Sequence, residues 1–243
     1  MFSGKIEDYI LFEDKEIIVC RKPAGIAVQN ARIGAMDLES SLKNYLAMQD
    51  GGGRRIPYLA VIHRLDQPVE GILVFGKTPE AAKSLSAQIT AGKMEKIYLA
   101  VTYGKQAEAG KKEKVLEDYL KKDGKSNTSS VVNAHTPGAK KARLSYEVLG
   151  EAVDAISGKK KWLLRIHLDT GRHHQIRVQM AHAGMPLAGD WKYGAGTNVT
   201  IGAGSLALCA ASLTFFHPVT GKVMKFVTKP EGAEFKGISI PQM

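Results

Sequence analysis

Cysteine is all but missing from this chain: Cys20 and Cys209 are the two it has, each inside an apolar stretch. Two separated thiols give neither a disulfide framework nor the paired spacing of a structural zinc site, so they read as small buried fillers. Long apolar runs are missing too, and none approaches the ~20 residues of a membrane-spanning helix. The opening residues Met1-Phe2-Ser3-Gly4-Lys5-Ile6-Glu7-Asp8 lack the charged-then-apolar plan of a secretory signal. A soluble cytoplasmic protein with no membrane partner is the expectation. Acidic residues are outnumbered: 24 Asp and Glu against 34 Lys and Arg leave a formal net charge of +10. Such a balance favours polyanionic partners, because each cation that neutralises a phosphate releases a counterion.

What is present is an ordinary globular composition, 44% hydrophobic and 24% charged over 243 residues, enough for one sizeable core. One domain spanning residues 1–243, with 230–243 as a C-terminal tail, and a monomer are expected. Ile10 to Lys22 reads as a strand or two, ended by the turn Lys22-Pro23-Ala24-Gly25, where proline lacks an amide donor. Residues 37–49 carry Leu38, Leu42, Tyr45 and Leu46 on one helical face behind an Asp37 N-cap. The stretch Gly51-Gly52-Gly53-Arg54-Arg55 reads as flexible. Tyr58–Ile62 and Ile72–Phe75 read as two strands around a turn. Thr78-Pro79 opens a second helix that turns Leu85 and Ile89 inward and stops at Gly92.

Ile97–Tyr103 is expected to be a strand, and Lys105–Lys125 a solvated loop with a short helical piece. Trp162, Leu164, Ile166 and Leu168 alternate with Leu163, Arg165 and His167, the period of a half-buried strand. Residues 174–183 look helical up to a cap at Gly184. Between Leu206 and Thr228 two strands flank the turn His217–Lys222. Helices are few and do not alternate regularly with strands, and no repeat is visible. The pattern therefore points to an α+β fold with a mixed, mostly antiparallel sheet flanked by helices.

Two motifs mislead. Gly71-Ile72-Leu73-Val74-Phe75-Gly76-Lys77-Thr78 satisfies the phosphate-loop pattern, which taken alone says nucleotidase. That loop needs exposed backbone amides, whereas four bulky apolar residues belong in a core strand that spends its amides on neighbours. Gly202-Ala203-Gly204-Ser205-Leu206-Ala207 mimics a dinucleotide fingerprint, but a strand follows it and no acidic residue lies ~20 positions on. His173, His174 and His182 have no carboxylate or cysteine at a metal-site spacing beside them, so no metal is expected.

The run with chemical content is His63-Arg64-Leu65-Asp66-Gln67-Pro68-Val69-Glu70-Gly71, which sets a carboxylate and a cation at a turn beside an apolar strand. Asp66 is a candidate nucleophile there, against the common use of an Asp before Gln-Pro as a turn cap. Three more segments join it: Glu13–Val19 through Lys22-Pro23-Ala24-Gly25; Lys96-Ile97-Tyr98-Leu99-Ala100-Val101; and Thr170-Gly171-Arg172-His173-His174-Gln175-Ile176-Arg177-Val178 continuing to Ala188-Gly189-Asp190. Together, from about Ile10 to Pro230, the chain resembles the RluA-type RNA pseudouridine synthases.

The resemblance implies the pseudouridine synthase fold and isomerisation of a uridine in structured ribosomal or transfer RNA, without cofactor or metal. Its catalytic residues would be Asp66, Tyr98 and Arg177. The bond between ribose C1′ and uracil N1 must break, the base rotate, and C5 join the sugar. A carboxylate can attack the sugar or take a ribose proton to give a glycal, and both routes stay open. Arg177 would pair with Asp66 and keep it charged. Tyr98 would offer a face to the uracil and a hydroxyl for the C5 proton. Arg64 would fill the gap left by the flipped uridine. His63, Arg172 and Leu208 are further RNA or substrate contacts. The lysine runs 111–112, 140–141 and 159–161 read as solvated.

The chain departs from the family at Val69-Glu70, where Thr-Ser is usual, and at Cys209, where a histidine is common. The resemblance begins about ten residues in, which leaves no separate N-terminal RNA-binding domain in this reading. A non-catalytic RNA-binding or ribosome-assembly factor is the rival class, with the nucleotidase behind it.

Overall fold

The strand-rich pattern is realised in a computed structural model that describes residues 2–30, 36–51, 56–103, 113–154, 158–194 and 205–242. Its strands are β1 (Ile10–Glu13), β2 (Ile17–Lys22), β3 (Ala60–Val61), β4 (Glu70–Gly76), β5 (Glu95–Thr102), β6 (Lys114–Asp123), β7 (Thr128–Val132), β8 (Lys140–Val153), β9 (Lys160–Leu168), β10 (Leu208–Phe216) and β11 (Val223–Val227). The helices are α1 (Leu38–Gln49), α2 (Pro79–Thr90) and α3 (Gln175–His182). The chain forms two compact units, residues 1–95 with 210–229 and residues 96–209 with 230–243.

In the first unit the strand order is β1-β2-β4-β10, with β3 on β4 and β11 on β10. The β1–β2, β2–β4, β3–β4 and β10–β11 pairings are antiparallel. Every residue of β4 is buried, as its unbroken apolar run requires. One face of β2 and β4 (Ile17, Val19, Ile72, Val74) packs with Leu213, Phe215, Ala81 and Leu85 into a core under α2. The helix starts where the sequence says: the Thr78 hydroxyl accepts the Ala81 N–H and Pro79 takes the first helical position, whose amide has no intrahelical partner. Asp37 caps α1 by accepting the Ser40 N–H at 2.7 Å.

In the second unit β5-β9-β8-β6-β7 form a consecutive antiparallel ribbon. Here the sequence misleads. Residues 114–123 are strand β6, not a solvated loop. Leu120 is buried and Leu116, Asp118 and Tyr119 are half-buried, while Glu117 is exposed. The period of two is hidden because charged residues stand on both faces of the strand, Lys114, Asp118 and Lys122 on one and Glu117, Lys121 and Asp123 on the other. The long strand β8 and the short strand β7 carry no sequence signal strong enough to have been assigned. Lys161 is buried rather than solvated, donating to the Glu234 and Lys236 carbonyls at 3.0 and 3.2 Å. That contact, with buried Phe235 and Ile238, anchors the C-terminal segment to the unit.

The expected strand at 58–62 shortens to Ala60–Val61. Both cysteines are buried and free, and burial pushes the Cys20 thiol upward. Among the described residues no helix is long and apolar enough to cross a membrane. Residues 52–55, 104–112 and 202–204, which carry part of the glycine-arginine stretch, the Lys111-Lys112 run and part of the dinucleotide mimic, lie outside the described residues.

Candidate active site

The loop between β3 and β4 carries His63, Arg64 and Asp66 in the first unit. Its end is a tight turn in which the Val69 N–H donates to the Asp66 carbonyl at 3.0 Å. Asp66 is half-buried, Arg64 exposed, and Leu65 and Val69 are buried anchors on either side. His63 accepts the Val74 N–H on Nε2 at 3.3 Å, so this imidazole ties the loop to β4.

The loop is held chiefly by a lysine that reading by residue type does not single out. Lys22 is fully buried at the end of β2, and its ammonium donates to the carbonyls of Pro23 (3.0 Å), Ile26 (2.7 Å) and Gln67 (3.0 Å). The Gln67 carbonyl also accepts the Gly25 N–H at 2.9 Å, and the Gln67 side chain returns a bond to the Gly25 carbonyl at 3.0 Å. The turn 22–26 and the loop 66–69 are thereby stitched into one piece. Burial pushes the Lys22 ammonium down to about 7, while the charges of Asp66 and Glu70 pull it back up. Glu70, one of the three residues that depart from the family pattern, thus lends a buried carboxylate to a buried cation.

Gly71 follows directly. Its φ is +130°, and a Cβ there would lie 2.4 Å from the Ala210 carbonyl oxygen of β10. Only glycine allows that approach. Beyond it the phosphate-loop mimic dissolves: residues 70–76 pair with β2 and β3, Lys77 donates to Glu13 and to the Asp14 carbonyl at 2.6 Å each, and Thr78 donates to Glu16.

Tyr98, Arg172, Arg177 and Leu208 belong to the second unit. Tyr98 is buried in β5 opposite Ile166 of β9. Arg177 lies on α3, a short helix that buries the polar side chains of Gln175, Arg177 and Gln179. Its guanidinium is 3% exposed and grips Asp190 with two bonds of 2.8 Å, from Nε and Nη2. A pair this geometry fits so well offsets the cost of desolvating both charges. The same cation lies 5.2 Å from the centre of the Tyr193 ring. The Tyr193 hydroxyl accepts the Ser129 N–H at 2.8 Å and meets His174 Nδ1 at 2.7 Å. His173, stacked on His174 at 3.8 Å, bonds Ser129 and Asn127.

A surface salt bridge at Arg177, the plain alternative for a helical arginine, is excluded by this burial. Arg172 is exposed and donates through Nε to the Lys141 carbonyl at 2.9 Å. Leu208 is buried at the start of β10. Reading by residue type missed Lys22, Asp190 and Tyr193, although Lys22 and Asp190 stand in segments that carry the resemblance. It also missed Lys96, whose ammonium lies beside Gly171 and is pushed down by burial. No group of three or more His, Cys, Asp or Glu able to hold a metal occurs among the described residues.

A model of the RNA pseudouridylate synthase family matches residues 16–182. A ribosomal large subunit pseudouridine synthase D of Pseudomonas aeruginosa is 33% identical over 233 residues, 91% of this chain and 68% of its own. The protein of that name from Xanthomonas campestris is 30% identical, covering 89% of this chain. This chain spans 64% of that relative's length. An RNA pseudouridine synthase of Bacillus subtilis, YhcT, is 31% identical over 91% of this chain and 70% of its own. Among solved structures, human RNA pseudouridylate synthase domain containing 1 superposes with a TM-score of 0.73 at 19% identity, covering 95% of this chain and 86% of its own. That likeness speaks for the fold.

Proposed function

Because the chain belongs to the RNA pseudouridylate synthase family, we propose that it isomerises a uridine in structured RNA to pseudouridine, with Asp66 as the group that attacks the ribose or removes its proton. The observation that carries this reading is that the family match spans Asp66, Tyr98 and Arg177, while Asp66 sits on a loop fixed from beneath by Lys22. In this reading Arg177 contributes positive charge to the catalytic machinery, and Tyr98 faces the uracil and receives the C5 proton. Arg64 fills the space of the flipped nucleotide, and His63, Arg172 and Leu208 shape the surroundings. The two units act as one catalytic domain.

The chemistry is balanced without outside help. The C1′–N1 bond breaks, a C1′–C5 bond forms, the C5 proton leaves and N1 ends protonated. Nothing is oxidised and no water is consumed, so the reaction calls for no cofactor. Large-subunit ribosomal RNA is the first substrate to test, since two of the relatives above are named for it. Purified protein added to an unmodified large-subunit transcript labelled with tritium at uridine C5 should release tritium, and mapping should find pseudouridine at a defined position. Tight, salt-sensitive RNA binding without tritium release from large-subunit or transfer RNA would instead favour a non-catalytic RNA-binding factor.

A further inference from the structure

Trp191 is 66% exposed, yet the chain around it is fixed. The Asp190 carboxylate that grips Arg177 also accepts the N–H groups of Lys192 at 3.1 Å and Tyr193 at 3.3 Å, and the Asp190 carbonyl accepts that of Gly194 at 2.8 Å. The Tyr193 side chain is bonded inward to Ser129 and His174. Lys192 reaches back across the indole, its ammonium 5.2 Å from the ring centre, and donates to the Asn127 carbonyl at 2.9 Å. An indole held in water on a pre-organised turn presents a large flat face at little conformational cost.

Its surroundings are polar and cationic. Asn127 links Lys192 to His173, and exposed Arg172 directly precedes His173. A protein partner would call for an apolar patch around the tryptophan. The other large exposed apolar side chains described in this unit are Val115 and Val153, on β6 and β8. An aromatic face with a cation over it suits a nucleic acid, whose bases stack and whose phosphates need neutralising.

We propose that Trp191 is a stacking platform for an unpaired base of the RNA, distinct from the uridine that is isomerised, with Lys192 meeting the adjoining phosphate. The substrate class rests on the reading above, but binding can be measured without chemistry. Trp162, the other tryptophan, is 3% exposed, so a change of indole fluorescence on adding RNA reports on Trp191. Titrating a uridine-rich single-stranded RNA should quench the wild-type protein and leave Trp191→Ala unchanged. Affinity should fall roughly 5- to 150-fold in Trp191→Ala, and Trp191→Phe should recover most of it. On a substrate transcript the alanine variant should raise KM with little change in kcat, at an unaltered melting temperature. An unquenched wild type, or an alanine variant with wild-type affinity, overturns the proposal. RNA-dependent quenching in a protein that makes no pseudouridine would retain the platform and discard the enzymatic reading; an active enzyme indifferent to Trp191 would do the reverse.

Discussion

The loop that carries Asp66 and the segment that carries Arg177, Asp190 and Tyr193 are both rigid, but they are held in opposite ways. In the first, a buried ammonium binds three carbonyl oxygens, so Lys22 fixes the path of the chain. In the second, side chain binds side chain: Arg177 on Asp190, Tyr193 on His174, His173 on Ser129. A backbone-held loop can change its exposed side chains without losing its shape. A side-chain network has no such freedom, because removing one partner strands a buried charge.

The sharpest break of this contrast is therefore in the second region. Asp190→Ala leaves the Arg177 guanidinium buried without its bidentate partner, and stability should fall by about 3–5 kcal/mol, seen as a large loss of melting temperature. Arg177→Lys should recover little of the pairing, since an ammonium cannot make the two parallel bonds. Full stability in Asp190→Ala would show that the network is decorative.

In the first region the sensitive point is backbone approach. Gly71→Ala sets a Cβ against the Ala210 backbone at a φ that only glycine adopts readily, and should cost about 2–4 kcal/mol by denaturant titration.

The smallest effect separates the two by pH. The folded protein holds the Lys22 proton less tightly than the unfolded chain, about 7 against an ordinary 10.5. Between those values the unfolded chain binds more protons, so stability rises with pH. Relative to Lys22→Met, the wild type should gain about 1–2 kcal/mol from about pH 7 to about pH 8.5. Parallel pH curves would show that Lys22 keeps its ordinary affinity for the proton.

The same contrast explains what could be read in advance. Elements governed by local rules were legible: the apolar run of β4, the Thr78-Pro79 start of α2, the Asp37 cap of α1, and the turn before β11. The candidate nucleophile was legible because residues 63–71 place it at a turn beside such a strand. Lys22 was not, since a lysine closing a strand reads as solvated until the fold curls three carbonyls around it. Nor was the Arg177–Asp190 pair, whose partners lie 13 residues apart with a helix end and turns between them. Strand β6 was hidden by charged residues that interrupt both of its faces.

The most direct test of the account compares wild type with Asp66→Asn for tritium release from RNA labelled at uridine C5. The account predicts a loss of about 10⁴-fold or more, with melting temperature and RNA affinity preserved because Lys22 holds the loop through its carbonyls. Release within a few-fold of wild type would contradict it and remove Asp66 from the chemistry.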